Sequence, residues 1–203
     1  MLCQVPTPDS VVVTDSVIPG YKVVPLEWSL DVGDGKDPLH LTGTVEQVLD
    51  QLKVSHPEFE AKVEAAVAAA PPLSTVATET SENPAAAVVK RWEYEGHFCF
   101  GRWQRTNRNR IWEGVMYLRR VGGRPWMNPG PGTCARVSCS YDSAIYWCND
   151  ANFVRTLDSF ANIADAANEI INLCIQEEFN YQWSSGQYFY REKWNVIVRQ
   201  DKC

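Results

Sequence analysis

The expected fold depends most on residues 135–148, ARVSCSYDSAIYWC, where apolar and polar side chains alternate on both sides of the turn-like pair Asp142-Ser143. Alternation with a period of two that flanks a turn predicts a β-hairpin. One side of this hairpin would carry Val137, Cys139, Tyr141, Ala144, Tyr146 and Cys148.

Further elements are predicted on both sides of the hairpin. Residues 92–98 and 194–199 have strand character. The stretch NRIWEGVMYLRRVGG, 109–123, places Ile111, Val115 and Leu118 on one helical face, with Thr106 as the N-cap and Gly122 or Gly123 as the stop. A longer helix before Cys174 carries one apolar stripe, formed by Leu157, Phe160, Ala164, Ala167, Ile171 and Cys174. Strand, helix, two strands, helix, strand is the split βαββαβ order. It predicts an α+β two-layer sandwich, in which an antiparallel sheet carries both helices on one face.

Cysteines are concentrated in the same part of the chain. Cys3 stands alone, whereas the other six are Cys99, Cys134, Cys139, Cys148, Cys174 and Cys203. An even set of cysteines within about 110 residues predicts a disulfide framework and an oxidising compartment. No close C-x-x-C pair is present, so no metal site is expected. Buried free thiols in a cytosolic protein are the alternative.

Six cysteines allow fifteen pairings, and their spacing does not choose among them. The predicted elements favour Cys99 with Cys174, which would clamp the long helix to the first strand. They also favour Cys134 with Cys148 at the open end of the hairpin, and Cys139 with Cys203, which would hold the last strand.

The front of the chain has a different composition. Through Arg91 it holds six Lys/Arg and thirteen Asp/Glu, whereas the remainder holds thirteen and twelve. Two short β-like runs are followed by capping boxes at Thr44/Gln47 and Ser55/Glu58, which predict two helices. We therefore expect a small α+β acidic pro-segment at 1–67, a flexible Ala/Pro/Ser/Thr-rich linker at 68–91, and a mature cysteine-rich domain at 92–203.

The linker ends at the only Lys-Arg pair of the sequence, Lys90-Arg91. Its position between the linker and the first framework cysteine predicts processing by a kexin-type protease, and a solvated charge pair is the alternative. The first twenty residues lack the pattern of a signal peptide. We expect that the N-terminus is incomplete and that the protein is secreted, with no transmembrane segment.

Residues 130–150, GPGTCARVSCSYDSAIYWCND, and 194–203, WNVIVRQDKC, resemble small secreted cysteine-rich proteins of filamentous ascomycete fungi, a group mostly without assigned activity. Residues 23–32, VVPLEWSLDV, with 39–59, LHLTGTVEQVLDQLKVSHPEF, are similar to the pro-region of such proteins. The order of elements also resembles, more loosely, fungal virus-encoded killer toxins and effectors that share their sandwich fold. The resemblance implies an extracellular effector or toxin-like protein.

Catalytic patterns are missing from the sequence. It contains no G-x-S-x-G, H-E-x-x-H or phosphate loop, and His97 is the only histidine after Arg91. We predict no enzyme and no cofactor.

The most unusual stretch is GRWQRTNRNR at 101–110, in which Arg102, Arg105, Arg108 and Arg110 surround Trp103. Guanidinium groups interleaved with an aromatic ring can hold phosphates and stack on a base or a lipid headgroup. A solvated loop is the alternative, and the near-neutral charge of the domain disfavours nucleic acid. Trp126 and Trp183 lie in segments expected outside the core, where exposed rings favour protein or sugar partners.

Two functional interpretations follow. The first is a secreted effector or toxin-like binding protein, released by dibasic cleavage and directed at a host or competitor cell-surface component. The second is an intracellular protein that binds nucleic acid through the Arg-rich loop 101–110. A secreted enzyme is a weaker third.

Overall fold

The computed structural model of the protein describes residues 18–73 and 92–203. The first range, called the front segment below, contains β1 (Lys22–Val24), β2 (Glu27–Leu30), β3 (Leu39–Thr42), α1 (Val45–Ser55) and α2 (Pro57–Ala68). The second range, called the back domain, contains β4 (Tyr94–Cys99), β5 (Thr106–Asn107), α3 (Arg108–Arg120), β6 (Trp126–Met127), β7 (Thr133–Ser140), β8 (Ser143–Asn149), β9 (Arg155–Thr156), α4 (Ala161–Leu173), β10 (Gln176–Glu178), β11 (Tyr181–Ser184), β12 (Gly186–Tyr190) and β13 (Trp194–Gln200).

The main sheet has six strands in the order β1-β7-β8-β13-β12-β4. Strand β1 runs parallel to β7, and every other neighbouring pair in this sheet is antiparallel. Helices α3 and α4 pack against each other and against the sheet, and they share one apolar core with it. The predicted α+β class is confirmed.

The split order is not confirmed, because β12 adds a strand between β13 and β4, and because β13 pairs with β8 while β4 lies at the edge of the sheet. The segment 181–190, YQWSSGQYFY, contains β11 and β12; Trp183 is half-buried and outside both apolar cores, but Ser184, Gln187 and Tyr190 of this segment are buried. The aromatic side chains of the segment favour strands. Gly186 permits the insertion, because a Cβ there would lie 2.7 Å from the carbonyl oxygen of Phe98 and 3.0 Å from Sγ of Cys174.

The predicted hairpin is present as β7 and β8, with a β-bulge between Arg136 and Ser138. Cys139 lies on one face with Ala144, Tyr146 and Cys148, as predicted. Val137 lies on the opposite, helix-covered face, because the bulge changes the alternation of the strand. Tyr141 belongs to the turn, not to a strand, and it is exposed.

Three disulfides join Cys99 to Cys174, Cys134 to Cys148, and Cys139 to Cys203. These are the pairs that the order of elements favours. The first bond connects the edge strand β4 to the end of α4, the second links directly opposed residues of β7 and β8, and the third fixes the chain after β13.

The helix starts agree with the sequence only in part. The capping box of Thr44 and Gln47 starts α1 as predicted. The box at Ser55 and Glu58 is wrong, because α2 starts at Pro57 after the N-cap His56, and proline is favoured at the first helical position. The N-cap of α3 is Asn107 and not Thr106; its side chain accepts hydrogen bonds from two backbone N–H groups of the first turn.

The front segment and the back domain share the larger apolar core. It contains Leu26, Trp28, Val48 and Leu52 of the front segment, together with side chains of α3, α4 and the main sheet. A smaller core on the other face of the sheet contains Ile18 and Trp103. Among the residues that the structure describes, no helix has the length and apolar character needed to cross a membrane.

Candidate binding groove

Arg108, at the start of α3, has a structural role. Its Nε–H donates to the carbonyl oxygen of Ile171 at 2.6 Å, and its two terminal nitrogens donate to Gln182 Oε1 at 2.7 Å and Asn172 Oδ1 at 2.8 Å. Burial lowers the pKa of this guanidinium. The side chain therefore connects the start of α3, the end of α4 and strand β11, and it is not available to a ligand.

Arg105 and Arg110 have acidic partners. Arg105 forms an ion pair with Glu178 and lies 5.2 Å from the ring centre of Trp183. Arg110 pairs with Glu113 at 2.8 Å, and this hydrogen bond raises the pKa of the guanidinium. The positive charge of both side chains is compensated within the molecule.

Arg102 is exposed and lies beside Trp103, with 5.5 Å between the guanidinium carbon and the ring centre. Trp103 is buried in the smaller core, where Arg199 approaches it from 5.4 Å. The residues 101–110 are thus divided between two environments, and the structure does not bring their four arginines together as one cationic surface.

Two adjoining cavities lie beside the small sheet β10-β11-β5. One has a volume of about 770 Å³, and its walls include Asn107, Trp112, Glu113 and Gln182. The other, of about 510 Å³, shares Asn107 with the first. Phe179 and Tyr181 line the first cavity, and Tyr141 and Trp183 line the second. The two cavities with these four rings are called the aromatic groove below.

Two hairpin turns supply the most exposed rings of the groove. Tyr141-Asp142 joins β7 to β8, and Phe179-Asn180 joins β10 to β11; all four residues have positive φ, between 47° and 65°. A two-residue hairpin loop with positive φ at both positions is a type I′ turn, which favours Asn-Gly or Asp-Gly. Both turns instead place a large aromatic residue at the first position, where such a residue is rare. The side chains are 74% exposed at Tyr141 and 86% exposed at Phe179.

Polar groups of the groove are fixed by hydrogen bonds. The Nε2 group of Gln182 donates to Glu177 Oε1 at 2.8 Å, while its Oε1 accepts from Arg108. The guanidinium of Arg110 holds Glu113 and lies 4.0 Å from the ring centre of Tyr141. Flat rings therefore stand next to oriented amide and carboxylate groups, which is an arrangement able to stack on and hydrogen-bond the same ligand.

Other predicted positions lie apart from the groove. Trp126 is half-buried and lines a separate cavity of about 220 Å³ with Met127 and Asn128. His97 Nδ1 is hydrogen-bonded to the hydroxyl of Tyr94 at 2.6 Å. Lys90 and Arg91 lie outside the residues that the structure describes. Within the described ranges, no group of three or more His, Cys, Asp or Glu side chains is placed to hold a metal ion.

Of the residues predicted from the sequence as binding residues, Arg105 and Trp183 line the groove and Arg110 lies over the ring of Tyr141, whereas the exposed rings of Tyr141 and Phe179 were not predicted. The available signal was the two-residue spacing between strands together with Asn180, which tolerates positive φ. No protein-family model, curated protein or solved structure matches this chain.

Proposed function

We propose that the protein is a secreted, disulfide-stabilised binding protein of the effector or toxin-like kind, which recognises a cell-surface component of a host or competitor through the aromatic groove. It is made as a precursor and cut after Lys90-Arg91. The observation that carries the proposal is the pair of hairpin turns that expose Tyr141 and Phe179 at the same groove. Turn stability alone would favour other residues at both positions.

A saccharide chain is the ligand that suits the groove best. Its sugar rings have apolar faces that stack on Tyr141, Phe179 and Tyr181, and its hydroxyl groups pair with amides such as Asn109 and Asn180. The two cavities adjoin at Asn107, so the groove has room for several sugar units.

The nucleic-acid alternative receives less support. Arg108 is buried, and Arg105 and Arg110 are paired with glutamates. Binding to RNA would require these ion pairs to be replaced by phosphate contacts, and it would weaken steeply with salt.

The test is a pull-down of the purified, oxidised protein with insoluble chitin, β-glucan and cellulose, with RNA and lipid vesicles as further arms. Phe179→Asn and Tyr141→Asn should each reduce polysaccharide binding at least tenfold, while the melting temperature stays equal or rises because asparagine suits the turn. Phe153→Asn is the matched control, since Phe153 is 54% exposed and lines neither cavity of the groove. Unchanged polysaccharide binding in both turn variants, or salt-sensitive binding to RNA alone, would contradict the proposal.

A further inference from the structure

The front segment is part of the main sheet. Strand β1 pairs with β7 in parallel register, with Lys22 opposite Thr133 and Val24 opposite Ala135. Without β1, the outer backbone groups of β7 would form an open sheet edge, which is a template for unwanted pairing. The front segment therefore closes one edge of the back domain.

Beyond β1, a side chain of α1 continues the contact with β7. The carboxylate of Glu46 accepts a hydrogen bond from Ser138 Oγ at 2.6 Å and from the backbone N–H of Cys139 at 3.0 Å. The two donors directly follow the β-bulge, where the pairing of β1 with β7 has already ended. Hydrogen bonds to an ionised acceptor are stronger than neutral ones.

Apolar contacts extend over the helix-covered face. Trp28, which is 1% exposed, stacks on Phe160 of the back domain with 4.0 Å between ring centres. Val45, Val48 and Leu52 of the front segment are buried in the same core. A unit of about fifty residues buries only a small part of its apolar surface by itself, so it is at best marginally stable alone. Separation would expose apolar surface on both pieces.

The end of the front segment reaches the aromatic groove. Pro72 and Leu73 line the larger cavity beside Trp112, and Leu73 is largely buried. Since these residues precede the predicted cleavage site, one wall of the groove comes from the piece that processing would cut off.

We infer that the front segment stays bound after cleavage, so that the active form consists of two chains held together without a covalent bond, with Leu73 completing the groove. The inference rests on the proposed cleavage and groove. The three disulfides all lie within residues 92–203, so none of them joins the two pieces. The partner of the surface formed by β7, α3 and α4 is thus the chain's own front segment.

The experiment does not depend on natural processing. A recognition sequence for a site-specific protease is placed between residues 80 and 89 of the full chain, and the folded protein is cut and passed over a size-exclusion column at decreasing concentration. The two pieces should co-elute at nanomolar concentration and separate only in denaturant. Elution as separate pieces at micromolar concentration would overturn the inference.

Variants of two glutamates in the front segment give a matched comparison. Glu46→Ala should raise the dissociation constant of the two pieces roughly tenfold to a hundredfold, because it leaves the Ser138 and Cys139 donors without their ionised acceptor. Glu58→Ala, at an exposed position in the first turn of α2, should leave the dissociation constant unchanged. Melting of both uncut variants shows that they fold. Equal dissociation constants for the two variants would contradict the inference.

The outcomes also separate this inference from the proposed function. If the pieces separate and residues 92–203 alone still bind polysaccharide, the inference fails and the proposed function stands. If the pieces co-elute and bind no polysaccharide, the inference stands and the proposed function fails.

Discussion

Replacing Trp28 by alanine tests whether the front segment and the back domain share one core. The indole of Trp28 stacks on Phe160 with an angle of 13° between the rings, and its Nε1–H donates to the carbonyl oxygen of Gly43 at 2.8 Å. Phe160 is fully buried at the start of α4. Trp28→Ala therefore creates a cavity between the two parts of the chain.

The expected loss is large. Truncation of a buried tryptophan or phenylalanine to alanine lowers the free energy of unfolding by about 3–5 kcal/mol. Gly43 is half-buried, so water can replace the indole as the donor to its carbonyl group, and the hydrogen bond adds little to the loss. A domain of this size has a total stability of about 5–15 kcal/mol. In the cut protein the same loss corresponds to a dissociation constant raised roughly a hundredfold to a few thousandfold.

Guanidinium unfolding followed by far-UV circular dichroism measures the effect in the uncut chain. Val54→Ala is the control, because Val54 lies in the front segment and is 87% exposed; its effect should stay within about 0.5 kcal/mol. A double-mutant cycle with Phe160→Ala should give a coupling energy of about 0.5–1.5 kcal/mol for the stacked pair. A loss below about 1 kcal/mol for Trp28→Ala would refute the shared core.

Four further predictions concern other parts of the chain. When the protein is expressed behind a secretion signal in a fungal host, processing should yield a chain that starts at Trp92, whereas Arg91→Ala should leave only the longer form. N-terminal sequencing after denaturation and separation of the chains measures this. Recovery of only uncut wild-type protein from a host with active kexin would contradict the cleavage. Gly114→Ala should lower the free energy of unfolding by about 1–3 kcal/mol, because the new Cβ would clash with Ser138 Oγ. This loss should exceed the gain from the better helix propensity of alanine. An unchanged melting temperature would contradict the clash and show that Ser138 can move away. Cys203→Ser opens a loop with a sequence separation of 64 and should cost about 4 kcal/mol, with Cys139 becoming open to alkylation; a reduced Cys139 in the wild type would disprove the bond. Burial and a hydrogen bond to Asp150 raise the pKa of Tyr21 to about 12 from an ordinary value of 10.0, so the folded state favours the neutral phenol. This stabilisation is complete below pH 10 and is lost as the pH rises towards 12. Between pH 9 and 11.5 the urea midpoint of Tyr21→Phe should therefore fall less than that of the wild type.

Local patterns in the sequence were sufficient for several parts of the fold. The alternation in residues 135–148 predicts a hairpin, and the apolar stripe before Cys174 predicts a helix. Both predictions are possible because each pattern repeats over several strand periods or helical turns. Once these elements were placed, the pairing of Cys134 with Cys148 followed from their opposition at the open end of the hairpin.

Positions that depend on long-range packing could not be predicted in this way. Strand β12 is inserted between β13 and β4, although its neighbours in the sequence are β11 and β13, and β4 lies about 90 residues away. The side of Val137 depends on a single bulge, which changes the alternation without a change in composition.

The apolar residues of the front segment indicate that it packs on another surface, although its overall composition suggests a separate unit. Its acidic charge and the linker after it are typical of a separate unit. However, its strand β2 carries Trp28 and Leu30 as buried side chains, and its first helix buries Val48 and Leu52. So many apolar side chains in a short segment require a partner surface, and the back domain provides it.

The disulfide framework and the aromatic turns are connected energetically. Holding a residue other than glycine in the left-handed region costs about 1–3 kcal/mol, and the two turns place Tyr141 and Phe179 there. The bonds Cys134–Cys148 and Cys139–Cys203 both hold β7, the strand that leads into the first of these turns. Each bond stabilises the fold by about 2–4 kcal/mol, which is enough to offset the cost of a strained turn. The framework therefore permits a large ring at Tyr141, where an ordinary hairpin would carry asparagine or glycine. Under the proposed function, contact with a ligand explains this choice, in addition to the stacking of Arg110 on the ring.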